Sequence, residues 1–436
     1  MGSQIVAIVG RPNVGKSTLF NRLIGERKSI IDNISGVTRD RIYGDSEWNG
    51  KKFIAIDTGG YVQNTDDIFE KAIKDQVIIA IDEADIIIFM VDVTTGITDL
   101  DEYVTRLLRT TKKPVILAVN KVDNHSRQLL ANEFWSLGIE NTIFLSSITG
   151  SGTGELLDLV SEILPENVEE EEPNEIPRFA IVGQPNVGKS SFVNALMGEE
   201  RNIVTDIAGT TRDSINSTYK KYGKEFTLID TAGIRKKAKV HENLEFYSVL
   251  RAVRAIDESD VCFLLLDATA GIEAQDLSIF SLIIKRRKGV VILVNKWDLL
   301  EKETNTAKEF AERIKFKLAP FNDVPILFIS VLEKQRIMQA LDLGIEVHEN
   351  RKQKITTSEL NEIMQEAIQK VPPPTQKGKV VTIKYVTQLP LFYPAFAFFC
   401  NHPKYIKTSY KNYLENQLRK RFNFTGVPLS IFFRDK

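Results

Sequence analysis

Short, nearly unbroken apolar runs recur along the chain, the clearest being Ile5 to Val9, Ile86 to Val91 and Val261 to Leu266. None is long enough to cross a bilayer and none alternates, so each reads as a strand buried on both faces of a parallel sheet. Each run breaks off in a polar loop, and a longer stretch with helical spacing follows. That βα alternation predicts an open parallel sheet covered by helices, with ligands bound beyond the carboxyl ends of the strands. The pattern changes near residue 350. A helical stretch, Thr357 to Val371, stops at Pro372-Pro373-Pro374, and a strand (Val380 to Thr387), a second apolar strand (Ala395 to Cys400), an amphipathic helix (Tyr405 to Phe422) and a last strand (Leu429 to Phe433) follow. The order α-β-β-α-β predicts a small two-layer α+β domain with one helical face.

The first of these patterns is written twice. Gly10-Arg11-Pro12-Asn13-Val14-Gly15-Lys16-Ser17-Thr18 returns as Gly183-Gln184-Pro185-Asn186-Val187-Gly188-Lys189-Ser190-Ser191, an offset of 173 that also pairs Thr38 with Thr211, Asp57 with Asp230 and Gly60 with Gly233. Further on, Asn120-Lys121-Val122-Asp123 matches Asn295-Lys296-Trp297-Asp298 at an offset of 175, as two residues inserted in an intervening loop would produce. The chain therefore divides into two phosphate-loop domains with mostly parallel sheets, residues 1–165 and 178–350, and a C-terminal domain, residues 351–436. Between the first two lies an acidic linker, residues 166–177, flanked and interrupted by Pro165, Pro173 and Pro177. A run of that composition buries no core and reads as a solvated spacer, with an acidic docking motif as the alternative.

The chemistry of the repeat follows from residue types at fixed distances. Glycines in the loop let backbone N–H groups converge on α- and β-phosphates at the positive end of a helix. Lys16 and Lys189 are placed to reach the β- and γ-phosphates, and the hydroxyls of Ser17 and Ser190 to ligate Mg²⁺. Asp57-Thr58-Gly59-Gly60 and Asp230-Thr231-Ala232-Gly233 each follow an apolar strand; the aspartate can hold a metal-bound water, and the N–H of Gly60 or Gly233 can sense the γ-phosphate. Thr38 and Thr211 are the candidates for closing on Mg²⁺ from the first switch loop, so the metal set is Ser17, Thr38, Asp57, Ser190, Thr211 and Asp230. Asp123 and Asp298 can each accept from N1–H and the 2-amino group of guanine, a pairing that adenine cannot offer. Ser146 and Ser147 provide the second base-side loop if the Ser147 N–H meets guanine O6. Ser330 and Val331 provide it in the second half, without the glycines that follow in the first. The position after each switch glycine holds Tyr61 or Ile234, neither of which can orient a water as the glutamine of Ras-like proteins does.

Composition narrows the class. At 436 residues the chain has room for about three domains, each with its own core. The two cysteines, Cys262 and Cys400, exclude a disulfide framework and suit a reducing cytoplasm. No leader is expected, since Met1-Gly2-Ser3-Gln4 runs straight into a strand, and the serine or threonine that acylation of Gly2 would need at position 6 is Val6. His125, His241, His348 and His402 have no zinc spacing. Charge is uneven: residues 351–436 hold 15 Lys and Arg against 5 Asp and Glu, so a +10 module rides on a −11 body, for −1 in all.

By these motifs the chain resembles the bacterial Der (EngA) family, the double-Era-like GTPases, over its whole length. The resemblance implies two G domains and a KH-like C-terminal domain, hydrolysis of GTP to GDP, and a role in assembly of the large ribosomal subunit through binding to its rRNA. In related GTPases with the Gly-x-Pro-Asn loop the asparagine helps to bind K⁺, which makes Asn13 and Asn186 catalytic candidates beside Lys16, Lys189, Thr38, Thr211, Gly60 and Gly233. A turn residue capping its own backbone is the alternative. No membrane partner is expected, and the chain is read as a monomer. Lys404, Lys407, Lys411, Arg419, Lys420 and Arg421, with Tyr385, Phe392, Tyr393, Phe396, Phe398 and Phe399 nearby, could neutralise phosphates and stack on unpaired bases, although aromatics in such strands also build cores. The Gly-x-x-Gly loop of a standard KH domain is absent: Gly378, between Lys377 and Lys379, has no second glycine in place. Arg235-Lys236-Lys237-Ala238-Lys239, behind the second switch motif, could gate RNA binding or be a charged loop and no more. A contrasting reading is an RNA-binding scaffold in which one G domain holds nucleotide without turning it over.

Overall fold

The computed structural model describes residues 4–25, 43–58, 77–78, 80–81, 84–165, 176–197, 217–221, 223–229, 252–301, 303, 305–375 and 379–435. They form two compact units, Met1–Glu170 and Glu171–Lys436. The first contains β1 (Gln4–Val9), α1 (Lys16–Leu23), β2 (Tyr43–Trp48), β3 (Lys51–Asp57), β4 (Ile86–Asp92), α2 (Asp99–Leu108), β5 (Val115–Asn120), α3 (His125–Ala131), β6 (Asn141–Phe144) and α4 (Thr153–Ile163). Its sheet runs β2-β3-β1-β4-β5-β6. Only the β2–β3 edge is antiparallel, closed by Asn49 and Gly50, both at positive φ as a two-residue hairpin demands. The other pairings are parallel, and β4 is buried at every position, as its unbroken apolar run requires. Parallel register sets Asp57 beside Ile8, and Asp92 beside Asn120, at the carboxyl end of the sheet. Leu19, Phe20 and Leu23 form the buried stripe of α1.

The second unit repeats this order with β7 (Arg178–Gly183), α5 (Lys189–Met197), β8 (Ser217–Lys221), β9 (Lys224–Leu228), β10 (Val261–Asp267), α6 (Ala274–Lys285), β11 (Gly289–Asn295), α7 (Thr306–Leu318), β12 (Ile326–Phe328) and α8 (Ile337–Lys352). Its sheet runs β8-β9-β7-β10-β11-β12. Phe263 anchors the core, 5.1 Å from Phe179 and 5.9 Å from Phe192, ring centre to ring centre. Fully burying one such side chain contributes about 2–3 kcal/mol.

A third sheet completes the unit: α9 (Thr357–Lys370), β13 (Ile383–Gln388), β14 (Ala395–Cys400), α10 (Thr408–Arg421) and β15 (Ser430–Asp435). The α-β-β-α-β order is as the sequence predicts, with α10 starting later because Pro403–Tyr405 forms a 3₁₀ turn. The Tyr410 and Tyr413 hydroxyls donate to Val371 and Ala367 carbonyls and tie the two helices together. This domain continues the second unit through main-chain bonds: Val290 N–H donates to the Gly426 carbonyl, and Gly426 N–H to that of Asp323, both at 2.8 Å.

His348, on α8, is 2% exposed, and neither ring nitrogen has a partner among the described residues. Burial pushes its pKa down to about 4, against the pull of Asp260. An unfolded chain therefore binds this proton more readily than the folded one, so the stability is complete above pH 6.5 and is lost as pH falls toward 4. From pH 7 to pH 5 the cost should be about 2 kcal/mol. Between pH 7 and pH 5 the urea midpoint of the protein should fall relative to that of His348→Leu, which has no ring to protonate; parallel curves would show that this ring carries no linkage. No helix among the described residues is long and apolar enough to cross a membrane.

Candidate functional site

Both predicted cradles form at the carboxyl ends of their sheets, immediately before α1 and α5. Lys16 Nζ donates to the carbonyls of Gly10 and Arg11, each at 2.8 Å. Lys189 Nζ makes the same pair of bonds, 2.8 Å to Gly183 O and 2.5 Å to Gln184 O. Asn13 and Asn186 take left-handed φ values of 65° and 64°, which folds the loop back over the helix end. Two glycines in each loop are sterically obligatory. A Cβ on Gly10 would lie 2.3 Å from the Met90 carbonyl, and one on Gly15 would lie 2.4 Å from Asn120 Nδ2; Gly183 and Gly188 face Leu265 O and Asn295 Nδ2 at 2.4 Å. Lys16 is 6% exposed, and burial pushes its ammonium down to about 8, opposed by the Asp57 carboxylate and aided by Arg11. A phosphate would return to this lysine the charge that desolvation disfavours.

Asn120 links the phosphate loop to the base side. Its Nδ2 donates to Val14 O at 2.7 Å, while its Oδ1 accepts from Ser147 N–H at 2.8 Å and Ser147 Oγ at 3.0 Å. Asn295 repeats this with Val187 O at 2.8 Å and Val331 N–H at 3.1 Å. The Ser147 N–H expected to meet guanine O6 is thus committed to Asn120. Val122 and Trp297 are fixed by N–H bonds to Leu145 O and Ile329 O. Asp123 lies at the rim, paired with Arg127 at 2.6 Å.

The loop without glycines keeps its shape. Lys334 and Arg336 adopt positive φ of 54° and 61° at the positions where the first half has Gly150 and Gly152. Ser330 Oγ accepts from Glu333 N–H as Ser146 Oγ does from Thr149 N–H. Left-handed lysine and arginine cost about 1 kcal/mol each relative to glycine, which the closed loop sustains.

Two further groups escaped the motif reading. Asp92 accepts from Lys121 Nζ and from Thr94 N–H and Oγ; Asp267 accepts from Lys296 Nζ at 2.6 Å and from Thr269 N–H and Oγ. Although partial burial works the other way, these donors hold both carboxyls below the usual carboxylate range. The pair is visible in the sequence as one more match at offset 175. Arg22 straps the first base loop by donating to Ser147 O at 2.7 Å and Ile148 O at 2.6 Å. At the matching offset of 173 the second half has Ala195.

Thr18 and Ser191 sit in the first turns of α1 and α5, and Thr58 Oγ donates to Ile8 O at 2.8 Å. Thr38, Gly59, Gly60, Tyr61, Thr211, Asp230, Thr231, Ala232, Gly233, Ile234 and the basic tract at 235–239 lie outside the described residues.

The C-terminal domain sorts its basic and aromatic side chains. Arg419 faces inward: it pairs with Asp323 at 3.2 Å, donates to Phe424 O and Val427 O, and lies over the Phe321 ring. It therefore serves the joint with the second G domain, not a phosphate. Phe396 and Phe398 are core. Tyr393 packs under Arg287. Tyr385, 38% exposed, stacks on Phe399 at 4.4 Å on the sheet face.

Comparison with known proteins agrees with this anatomy. A family profile described as "50S ribosome-binding GTPase" matches residues 5–121 and again 178–296. One described as "KH-domain-like of EngA bacterial GTPase enzymes, C-terminal" matches residues 354–434. The chain is 61% identical over 432 residues to the GTPase Der of Christiangramia forsetii, covering 99% of each. It is 60% identical over 437 residues to the GTPase Der of Flavobacterium johnsoniae, covering 100% of each. Among solved structures it is similar to Era of Aquifex aeolicus bound to GDP.AlF4-, at 21% identity and a TM-score of 0.31, covering 76% of this chain and 93% of that one. The G domain of T. maritima FeoB matches at 32% identity and a TM-score of 0.28, over 37% of this chain and 98% of that one.

Proposed function

The chain belongs to the GTPase Der family, and we propose that both of its cradles bind and hydrolyse GTP with Mg²⁺, as a nucleotide-controlled switch in assembly of the large ribosomal subunit. What supports turnover at both sites is their bond-for-bond repetition: each lysine is held by two loop carbonyls, and each asparagine joins the phosphate and base loops. Water attacks the γ-phosphate in line, while lysine and loop N–H groups stabilise charge developing on the β–γ bridging oxygen. Ser17 and the 5% exposed Asp57 are the hard oxygen donors that suit Mg²⁺, with Ser190 and Asp230 as their counterparts. Mg²⁺ held there would neutralise charge on the phosphate oxygens. Asn13 and Asn186 are exposed, and neither side chain has a hydrogen-bond partner among the described residues, which leaves an amide oxygen available to K⁺.

The ribosomal part of the proposal draws on the matching profile's description and on the +10 C-terminal module. A cytoplasmic site of action accords with two free, buried cysteines. Cosedimentation with purified large and small subunits tests it. Pelleting with the large subunit alone, in a nonhydrolysable GTP analogue and not in GDP, is the expected result; equal pelleting with both subunits, or in every nucleotide, would sink the assembly role.

A further inference from the structure

We propose that the side chain after the first loop glycine sets the phosphate affinity of the two halves in opposite senses: Arg11 neutralises the buried Asp101, whereas Gln184 leaves the equivalent Asp276 charged against the incoming phosphates. The inference rests on the reading that both loops bind guanine nucleotide. It concerns the variable position of each loop and a buried acid on the helix after β4 or β10.

The two arrangements are homologous and differ in charge. Asp101 and Asp276 are 1% and 2% exposed, each at the third position of the helix that follows β4 or β10. Asp101 Oδ2 lies 3.4 Å from Arg11 Nε, and the same guanidinium donates to Thr95 Oγ. Asp276 Oδ2 instead accepts from the amide of Gln184 at 2.9 Å, and that amide also donates to Glu273 at 3.0 Å. Glu273 stands where the first half has the neutral Thr98. In both halves the Oδ1 oxygen of the buried acid has no hydrogen-bond partner among the described residues, and Oδ2 takes the donors, which in the second half are the neutral Gln184 amide and the Glu273 N–H. The backbone carbonyls of Arg11 and Gln184 hold the loop lysines, so each acid stands one side chain away from the ammonium that receives phosphate. An amide can satisfy a carboxylate's geometry without cancelling its charge. In the second half Asp276 therefore competes with phosphate for Lys189 and repels the phosphate itself. Burial, joined by Glu273, raises the Asp276 carboxyl, as an anion without a full counter-charge requires.

A unit charge several ångströms from the phosphates, at an effective dielectric constant of about 20, changes affinity by roughly three- to tenfold once screening is included. Gln184→Arg and Asp276→Asn should therefore each tighten GDP binding at the second site by that factor, and Arg11→Gln should loosen it at the first. The test uses the full chain with the other site diverted from guanine by Asp298→Asn or Asp123→Asn, and GDP titrations at low salt. Guanosine, which lacks phosphates, should bind all variants equally. If the diverting substitutions fail to reduce bound GDP from two per chain to one, the nucleotide reading itself fails. If they succeed and GDP affinity is unmoved, or guanosine affinity moves as much, the charge assignment is overturned.

Discussion

Asp123→Asn is expected to cost the first site about ten-thousandfold of its preference for GTP over xanthosine triphosphate, and Asp298→Asn to do the same at the second. In the proposed mode of binding the carboxylate would accept two hydrogen bonds from guanine, at N1–H and the 2-amino group. An asparagine keeps one acceptor and turns an N–H donor toward the other, which suits the 2-oxo group of xanthine and opposes an amino group. The surrounding frame does not depend on the acid. Lys121 and Lys296 hold left-handed φ of 67° and 61°, and the Val122 and Trp297 N–H bonds pin both loops from behind. The Asp123–Arg127 pair is half-exposed and i,i+4, worth a few tenths of a kcal/mol, so base binding displaces it at little cost. Equilibrium dialysis gives the measurement. The unaltered chain should hold two guanosine nucleotides and each variant one guanosine and one xanthosine nucleotide; a variant that still holds two guanosine nucleotides would show that the acid does not read the base.

The parallel sheets and the spacing of the cradle were legible because they depend on local rules and on repetition. Apolar runs without alternation mark strands buried on both faces, and a glycine flanked by backbone on the far strand cannot be replaced, so its spacing survives in both halves. What stayed hidden depends on partners distant in sequence. Asp92 and Asp267 look like strand-end residues until the register sets them beside Asn120 and Asn295. The second base loop lacks glycine and yet closes, because Lys334 and Arg336 sustain the left-handed conformation that glycine makes easy. Charge counting placed Arg419 among the basic residues expected to neutralise phosphates, whereas its guanidinium meets Asp323 and Phe321 across the joint. Composition cannot separate Phe398 in the core from Phe399 on the open face, since they are neighbours on one strand and differ only in which way the pleat turns them.

Lys16→Ala and Lys189→Ala should each abolish turnover at their own site, lowering kcat/KM there by about a thousandfold or more, while the other site continues. Each lysine is held by two carbonyls before phosphate arrives, so its position is already determined and little ordering is left to be done during the reaction. Removing it would take away the charge-assisted bond proposed to the β- and γ-phosphates, and it strips two loop carbonyls of their donor. The second effect makes alanine an ambiguous change by itself, because the loop could sag. Methionine in place of lysine keeps the stem and loses only the charge, so a thermal midpoint within a degree or two of the unaltered chain, with turnover still lost, isolates the electrostatic part. Single-turnover phosphate release reads each site: the two single variants should keep one phase each and the double variant none. Persistence of both phases in the double variant would remove the lysines from the chemistry. Cells that grow normally on a single variant which still binds nucleotide would show that one half is a scaffold, and its loop a structural hold on GTP or GDP instead of an active site.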